Sequence, residues 1–126
     1  MKYLHLTKGF KPTPFGQKET IDFESSTFPG GEPHIRIEKL YSYDDIVVTI
    51  RPTSFNDLGT LLIAIDALDR MDMLDISLYI PYFPGGRQDR VMNEGEALTI
   101  KVYADIINSM GFTNVYVFDP HSDVTP

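Results

Sequence analysis

The chain has 126 residues, a net charge of −7 at pH 7, 42% hydrophobic and 23% charged residues, and no cysteine. That size fits one domain around one core, the acidic balance argues against nucleic acid or an anionic membrane as partner, and the lack of cysteine removes disulfides and thiolate metal sites. No stretch approaches the roughly 20 apolar residues of a membrane helix and the N-terminus has no signal-peptide core, so the reading is a soluble, cytoplasmic protein.

Residues 3–6 form the first predicted strand. Residues 8–17 read as a loop, because Gly9, Pro12, Pro14 and Gly16 interrupt any pattern. A short strand over 20–24 leads to a turn at Phe28-Pro29-Gly30-Gly31. Along 34–40, Ile35 and Ile37 point one way and His34, Arg36 and Glu38 the other, as in a half-exposed strand. Residues 45–50 are a β-branched run suited to a buried strand. Asn56 or Asp57 is the expected cap of the next helix. Leu58, Leu61, Leu62, Ile65 and Leu68 fall at helical spacing there, and Ile63 and Ala64 widen the apolar face. Residues 75–82 form another apolar strand. A second helix, entered through 94–99, buries Val102, Tyr103, Ile106, Ile107 and Met110 and stops at Gly111. Residues 114–118 form the last strand.

From residue 45 the order is strand, helix, strand, helix, strand, with strands that read as buried on both faces. This predicts an α/β fold: a parallel sheet with flanking helices. The N-terminal third has short strands and no helix, which predicts a small antiparallel β flap. A helix usually covers the sheet after such a last strand, yet only eight residues follow here; the expectation is a fragment or half of something larger.

In parallel sheets, ligands bind beyond the carboxyl ends of the strands. Three polar clusters follow predicted strands: Arg51-Pro52-Thr53-Ser54, Arg87-Gln88-Asp89-Arg90 and Asp119-Pro120-His121-Ser122. Arginine presents a planar fork of donors matched to phosphate oxygens, so two arginines after a glycine turn are suited to a polyphosphate. Asp119 and His121 are both able to contact a divalent cation or its waters. The plain alternatives are a solvated turn for 87–90 and a hydrogen-bonded histidine at a strand end for 119–122. A fourth cluster, Phe28 to Glu32, fits an aromatic platform with a carboxylate at its edge, which suits a purine ring. Its alternative is a Phe28 packed into the core with Glu32 facing water.

Together these stretches resemble the N-terminal domain of ribose-phosphate pyrophosphokinase (phosphoribosyl pyrophosphate synthetase), over residues 28–122. Phe28-Pro-Gly-Gly-Glu32 looks like the family's F-x-[ND]-x-E segment, and Asn56-Asp57-Leu58 with the helix through Ala67-Leu68 looks like its N-D-x-L helix. The most specific match is Ile80-Pro81-Tyr82-Phe83-Pro84-Gly85-Gly86-Arg87-Gln88-Asp89-Arg90, close to I-P-Y-F-P-Y-A-R-Q-D-R. Val117-Phe118-Asp119-Pro120-His121-Ser122 corresponds to the D-L-H-[AS] segment.

The resemblance implies a phosphoribosyltransferase-like fold with residues 1–126 as the N-terminal domain and the C-terminal catalytic domain absent from this chain. It implies transfer of the β,γ-pyrophosphoryl group of ATP to the C1 hydroxyl of ribose 5-phosphate with Mg²⁺, within a homo-oligomer. Phe28 would stack on adenine and Glu32 read its amino edge in a neighbouring subunit's site. Arg87 and Gln88 would hold the nucleotide, with Asp89 and Arg90 in support. His121 would contact the metal–triphosphate, buttressed by Asp119. Catalytic and ribose 5-phosphate residues belong to the absent domain, so this chain alone is expected to be inactive.

Several positions depart from the family pattern. Gly85-Gly86 replaces Tyr-Ala, Gly30 replaces Asn or Asp, and Val91 and Gly95 stand where the following loop is usually basic, although Glu96 is kept. Ser42 occupies the place of an arginine in the regulatory phosphate site. The family's first helix is replaced by the loop at 8–17. These departures keep a second reading open, a non-catalytic relative acting as a nucleotide-binding or oligomerisation module. A generic flavodoxin-like domain is a third, for which no glycine-rich phosphate loop is visible at the first strand.

Overall fold

β-Branched and aromatic residues crowd the segments that become the centre of the sheet, where both faces must be apolar. The computed structural model describes residues 1–41, 43–82 and 93–117. Its strands and helices are β1 (Lys2–His5), β2 (Glu19–Thr20), β3 (Phe23–Thr27), β4 (Pro33–Ile37), β5 (Ile46–Thr49), α1 (Phe55–Arg70), β6 (Ile76–Ile80), α2 (Thr99–Ser109) and β7 (Val115–Val117). The main sheet runs β2-β1-β5-β6-β7 with every neighbouring pair parallel. β3 and β4 form a separate antiparallel hairpin.

The expected parallel sheet with flanking helices is therefore present, with two corrections in the N-terminal third. β1 is an inner strand of the main sheet, between β2 and β5, and only β3 and β4 make the flap. The predicted strand at 20–24 is two strands. Ile21 donates its N–H to the Tyr3 carbonyl (2.8 Å) as β2 ends, and β3 starts two residues later in a different sheet. The chain changes partner within a stretch too short for side-chain periodicity to show it.

One face of the sheet packs Leu4, Ile46, Val48, Ile76, Leu78 and Ile80 against Leu58, Leu61, Ala64, Ile65 and Leu68 of α1 and Ile107 of α2. The hairpin joins the same core through Ile35, and β4 lies along α1. Fully burying each such leucine or isoleucine is worth about 1.5–3 kcal/mol. The stripes are narrower than the spacing predicts. Leu62 and Val102 are exposed, and Ile107 is the buried residue of α2, with Tyr103, Ile106 and Met110 half-buried. β7 also differs from the expectation of burial on both faces: it lies at the end of the sheet order, and Val115 and Tyr116 are exposed. Gly111, with φ of 77°, ends α2 as expected.

α1 begins two residues earlier than an Asn56 or Asp57 cap would allow. Ser54 is the N-cap, and Asp57 completes a capping box from the third helical position, its Oδ2 accepting from the Ser54 N–H at 3.1 Å. An aspartate competes poorly for a cap when a serine three residues upstream can use it this way.

The other face of the sheet carries Tyr3, Val47 and Tyr79 with Phe10 against them, and the polar residues His5, Thr49 and Ser77 are buried. The helix-free loop at 8–17 contributes to its cover. The Tyr3 hydroxyl donates to the Gly16 carbonyl (2.9 Å) and accepts from the Phe15 N–H (2.9 Å). Phe15 meets Tyr116 edge-on at 5.2 Å, reaching β7. His5 stacks on Tyr3 (5.2 Å between centroids) and places Nδ1 2.6 Å from Thr49 Oγ1. Burial, and then the Lys11 ammonium nearby, push the His5 imidazole below its usual pKa. At the opposite end of β1, Lys2 Nζ lies 3.6 Å from both Glu19 and Asp44.

Two expectations follow from this second face. Tyr3→Phe removes both loop bonds and should cost about 1–2 kcal/mol in urea unfolding, with faster hydrogen exchange at the Phe15 amide. A histidine whose folded pKa is depressed favours the neutral form. Its contribution is therefore full above the unfolded pKa of about 6.5 and is lost as pH falls through that value towards the folded pKa. The loss of stability on going from pH 7.5 to 5 should be smaller in His5→Gln than in the wild type.

Candidate functional site

Because its strands are parallel, β1, β5, β6 and β7 all end at one edge of the sheet, the edge at which ligands bind in such folds. The exits of three of them are laced together. The Arg51 N–H donates to Thr7 Oγ1 (2.9 Å), which ties the β5 exit to the β1 exit. The Tyr82 hydroxyl donates to the Pro52 carbonyl (2.6 Å), which ties the β6 exit to that of β5. The Arg51 guanidinium stands 5.1 Å from the centre of the Phe10 ring, a cation–π contact.

The Arg51-Pro52-Thr53-Ser54 cluster divides under this geometry. Thr53 and Ser54 are taken up by the helix cap, the Thr53 N–H and hydroxyl both donating to Asp57 Oδ2 (2.7 and 3.1 Å). Arg51 remains exposed at the edge. Arg87, Gln88, Asp89 and Arg90 of the second cluster, Asp119 and His121 of the third, and Ser42 lie outside the described residues. Among the described residues no group of three His, Asp or Glu side chains is placed to hold a metal ion.

Phe28 and Glu32 sit together at the tip of the β3–β4 hairpin. The Gly31 N–H donates to the Phe28 carbonyl and the Phe28 N–H to the Glu32 carbonyl, each at 2.8 Å. Pro29 presets the first turn position, and Gly31, with φ of 96°, takes the left-handed position that closes a three-residue hairpin loop. The Phe-Pro-Gly-Gly-Glu order is thus a turn specification as well as a site. Phe28 keeps 50% of its surface exposed, which sets aside its packing into the core. Glu32 folds back over Gly30, so that a Cβ on Gly30 would meet its carboxylate. The hairpin's outward row continues through His34, opposite Ser26, and Arg36, opposite Glu24. The His34 ring lies 5.0 Å from that of Phe28 at 42°. The period-two alternation already turned His34 outward; its contact with Phe28 had no signal in the sequence, nor did the Tyr82–Pro52 bond.

Gly31→Ala should destabilise the protein by about 1 kcal/mol in thermal unfolding, since it forces a side chain into the left-handed region. Gly30→Ala should change stability by less than about 0.5 kcal/mol, because its obstacle is the movable end of Glu32. It should instead displace that carboxylate, seen as a shift of the Glu32 side-chain carboxyl resonance.

The family model for the N-terminal domain of ribose phosphate pyrophosphokinase matches residues 15–111. A ribose-phosphate pyrophosphokinase of Sulfolobus acidocaldarius is 35% identical over 103 residues, 80% of this chain and 35% of that protein. One of Mycoplasma pneumoniae is 38% identical over 101 residues, 78% of this chain and 30% of that protein. The chain thus spans about a third of the length of these relatives. Among solved structures, phosphoribosylpyrophosphate synthetase from Mycobacterium smegmatis superposes with a TM-score of 0.67 at 22% identity, over 83% of this chain and 42% of that one, a likeness of fold. By the breadth of the family match and the identity of these relatives, the chain belongs to the ribose-phosphate pyrophosphokinase family and represents its N-terminal domain.

Proposed function

We propose that this chain is the ATP-binding half of a ribose-phosphate diphosphokinase, which transfers the β,γ-pyrophosphoryl group of ATP to the C1 hydroxyl of ribose 5-phosphate. The observation that carries the reading is a family match that includes the hairpin turn, where Phe28 stands exposed beside Glu32. In this reading Phe28 stacks on adenine and Glu32 accepts from its exocyclic amine, in the site of a neighbouring subunit. Arg87 and Gln88 grip the nucleotide, with Asp89 and Arg90 in support. Such a transfer asks the protein mainly for positioning and for cations aimed at developing charge, which suits an acidic chain that places two arginines within four residues.

Mg²⁺ is the cofactor of this reading, and it would neutralise charge on the triphosphate. The donor set fits it: Mg²⁺ is held by one or two carboxylates together with substrate phosphates and water rather than by a full protein cage. Asp119 and His121 would hold it or its waters. Ribose 5-phosphate would bind through residues beyond this domain, and a homo-oligomer is required for the Phe28–Glu32 tip to reach a site.

The uncharged Val91 and Gly95, in a loop expected to cover phosphates, favour one alternative, a nucleotide-binding or assembly module without catalysis. Calorimetric titration with Mg-ATP tests the primary reading. Wild-type chain should bind, and Arg87→Ala should weaken binding at least about tenfold, the loss expected for a charge-assisted contact. Absence of binding in the wild type would mean that the site needs residues beyond this domain or a neighbour's Phe28 segment, or that the fold serves as a scaffold.

A further inference from the structure

We propose that His34 is a positioning residue for the nucleobase: its ring, tilted against that of Phe28, sets the angle at which Phe28 meets a purine ring. The inference rests on the nucleotide-binding reading above and adds to it a residue outside the Phe28–Glu32 segment.

A half-exposed phenylalanine at a hairpin tip would ordinarily explore several ring orientations. Phe28 is restrained twice. Its backbone is fixed on both sides by the 2.8 Å bonds that close the turn, and its ring is met by the His34 imidazole at 5.0 Å and 42°. Tilted aromatic contacts at this separation are favourable beyond the area they cover. A ring held in place loses less freedom on stacking, so more of the contact energy appears as affinity.

His34 has no part in the core. Ile35 and Ile37 are the β4 residues that pack inward, and His34 lies on the exposed row. Among the described residues its imidazole makes no hydrogen bond or ion pair, and the ring contact with Phe28 is its interaction. The hairpin's stability comes mainly from the ladder and from packing on α1, and the His34–Phe28 pair adds one aromatic contact to it. The pair is suited to hold an exposed aromatic ring at the turn that carries Glu32.

The test is titration of Mg-ATP and, separately, Mg-tripolyphosphate into the wild type, His34→Ala, His34→Phe and Phe28→Ala, with thermal unfolding of each. His34→Ala should weaken ATP roughly fivefold, the scale of one aromatic pair, and leave tripolyphosphate unchanged. His34→Phe should restore ATP affinity, and His34→Ala should melt no more than a few degrees below the wild type, the shift of one lost aromatic pair. The proposal is overturned if His34→Ala binds ATP as the wild type does while Phe28→Ala is impaired. It is equally overturned if both ligands weaken together, or if His34→Phe gives no rescue. Failure of the wild type to bind ATP, or an unaffected Phe28→Ala, would remove the nucleotide reading itself and this inference with it.

Discussion

A parallel sheet must be covered on both faces, and in this protein the two covers are built differently. One face has helices and the hairpin. The other is closed in part by a loop whose docking turns on a single phenolic oxygen, the Tyr3 hydroxyl, which accepts from Phe15 and donates to Gly16. Loop backbone has polar groups that need partners when it lies over apolar surface, and Tyr3 supplies two of them from within an inner strand. Phe10 then packs on Tyr3, Val47 and Tyr79, and Phe15 reaches across to Tyr116. Take that oxygen away and the inner strands keep their ladder but lose an anchor of this cover.

The hairpin solves a related problem with a two-residue period. Its inward row adds Ile35 to the core against α1, which fixes where the flap lies. The same alternation leaves Phe28, His34 and Arg36 on the outside with no packing role. Placement and display are therefore separate properties of alternate residues, and the display row can change without disturbing the fold. At the other candidate region, the β1, β5 and β6 exits are joined through Thr7, Arg51, Pro52 and Tyr82, so the edge that would face a ligand is braced before any ligand arrives.

Much of this was legible in the sequence. The helices and the strands β5 and β6 carry strong, regular patterns, and alternation at Ile35 and Ile37 identified the half-exposed strand. Signals failed where a choice depends on a partner distant in sequence. The switch of sheets between Thr20 and Phe23 is decided by Tyr3 and Ile37, which no local window contains. Whether Leu62 or Val102 is covered depends on how a helix is rolled on its neighbours, and periodicity fixes that only to within a residue or so. The cap was misplaced because Asp57 is a good cap by type but serves better bonded back to Thr53 and Ser54. At the hairpin tip the turn followed from Pro29 and Gly31; the ring partner of Phe28 did not, because exposed pairs leave no periodic trace.

The place of β1 has a consequence for how the molecule is made. It is the first strand of the chain, and its partner β5 lies far along it; His5 and Thr49 are separated by 44 positions. Closing a loop of that order costs about 3 kcal/mol in chain entropy before any sheet contact offsets it. The β3–β4 hairpin inside that loop needs only short-range pairing, which is complete in microseconds. Of the described pairings, β1–β5 thus closes over the longest stretch of chain and β3–β4 over the shortest. Until β1 is paired, one edge of the apolar strand Ile46–Thr49 stands open, and an open apolar edge is where a folding chain is exposed to association with another.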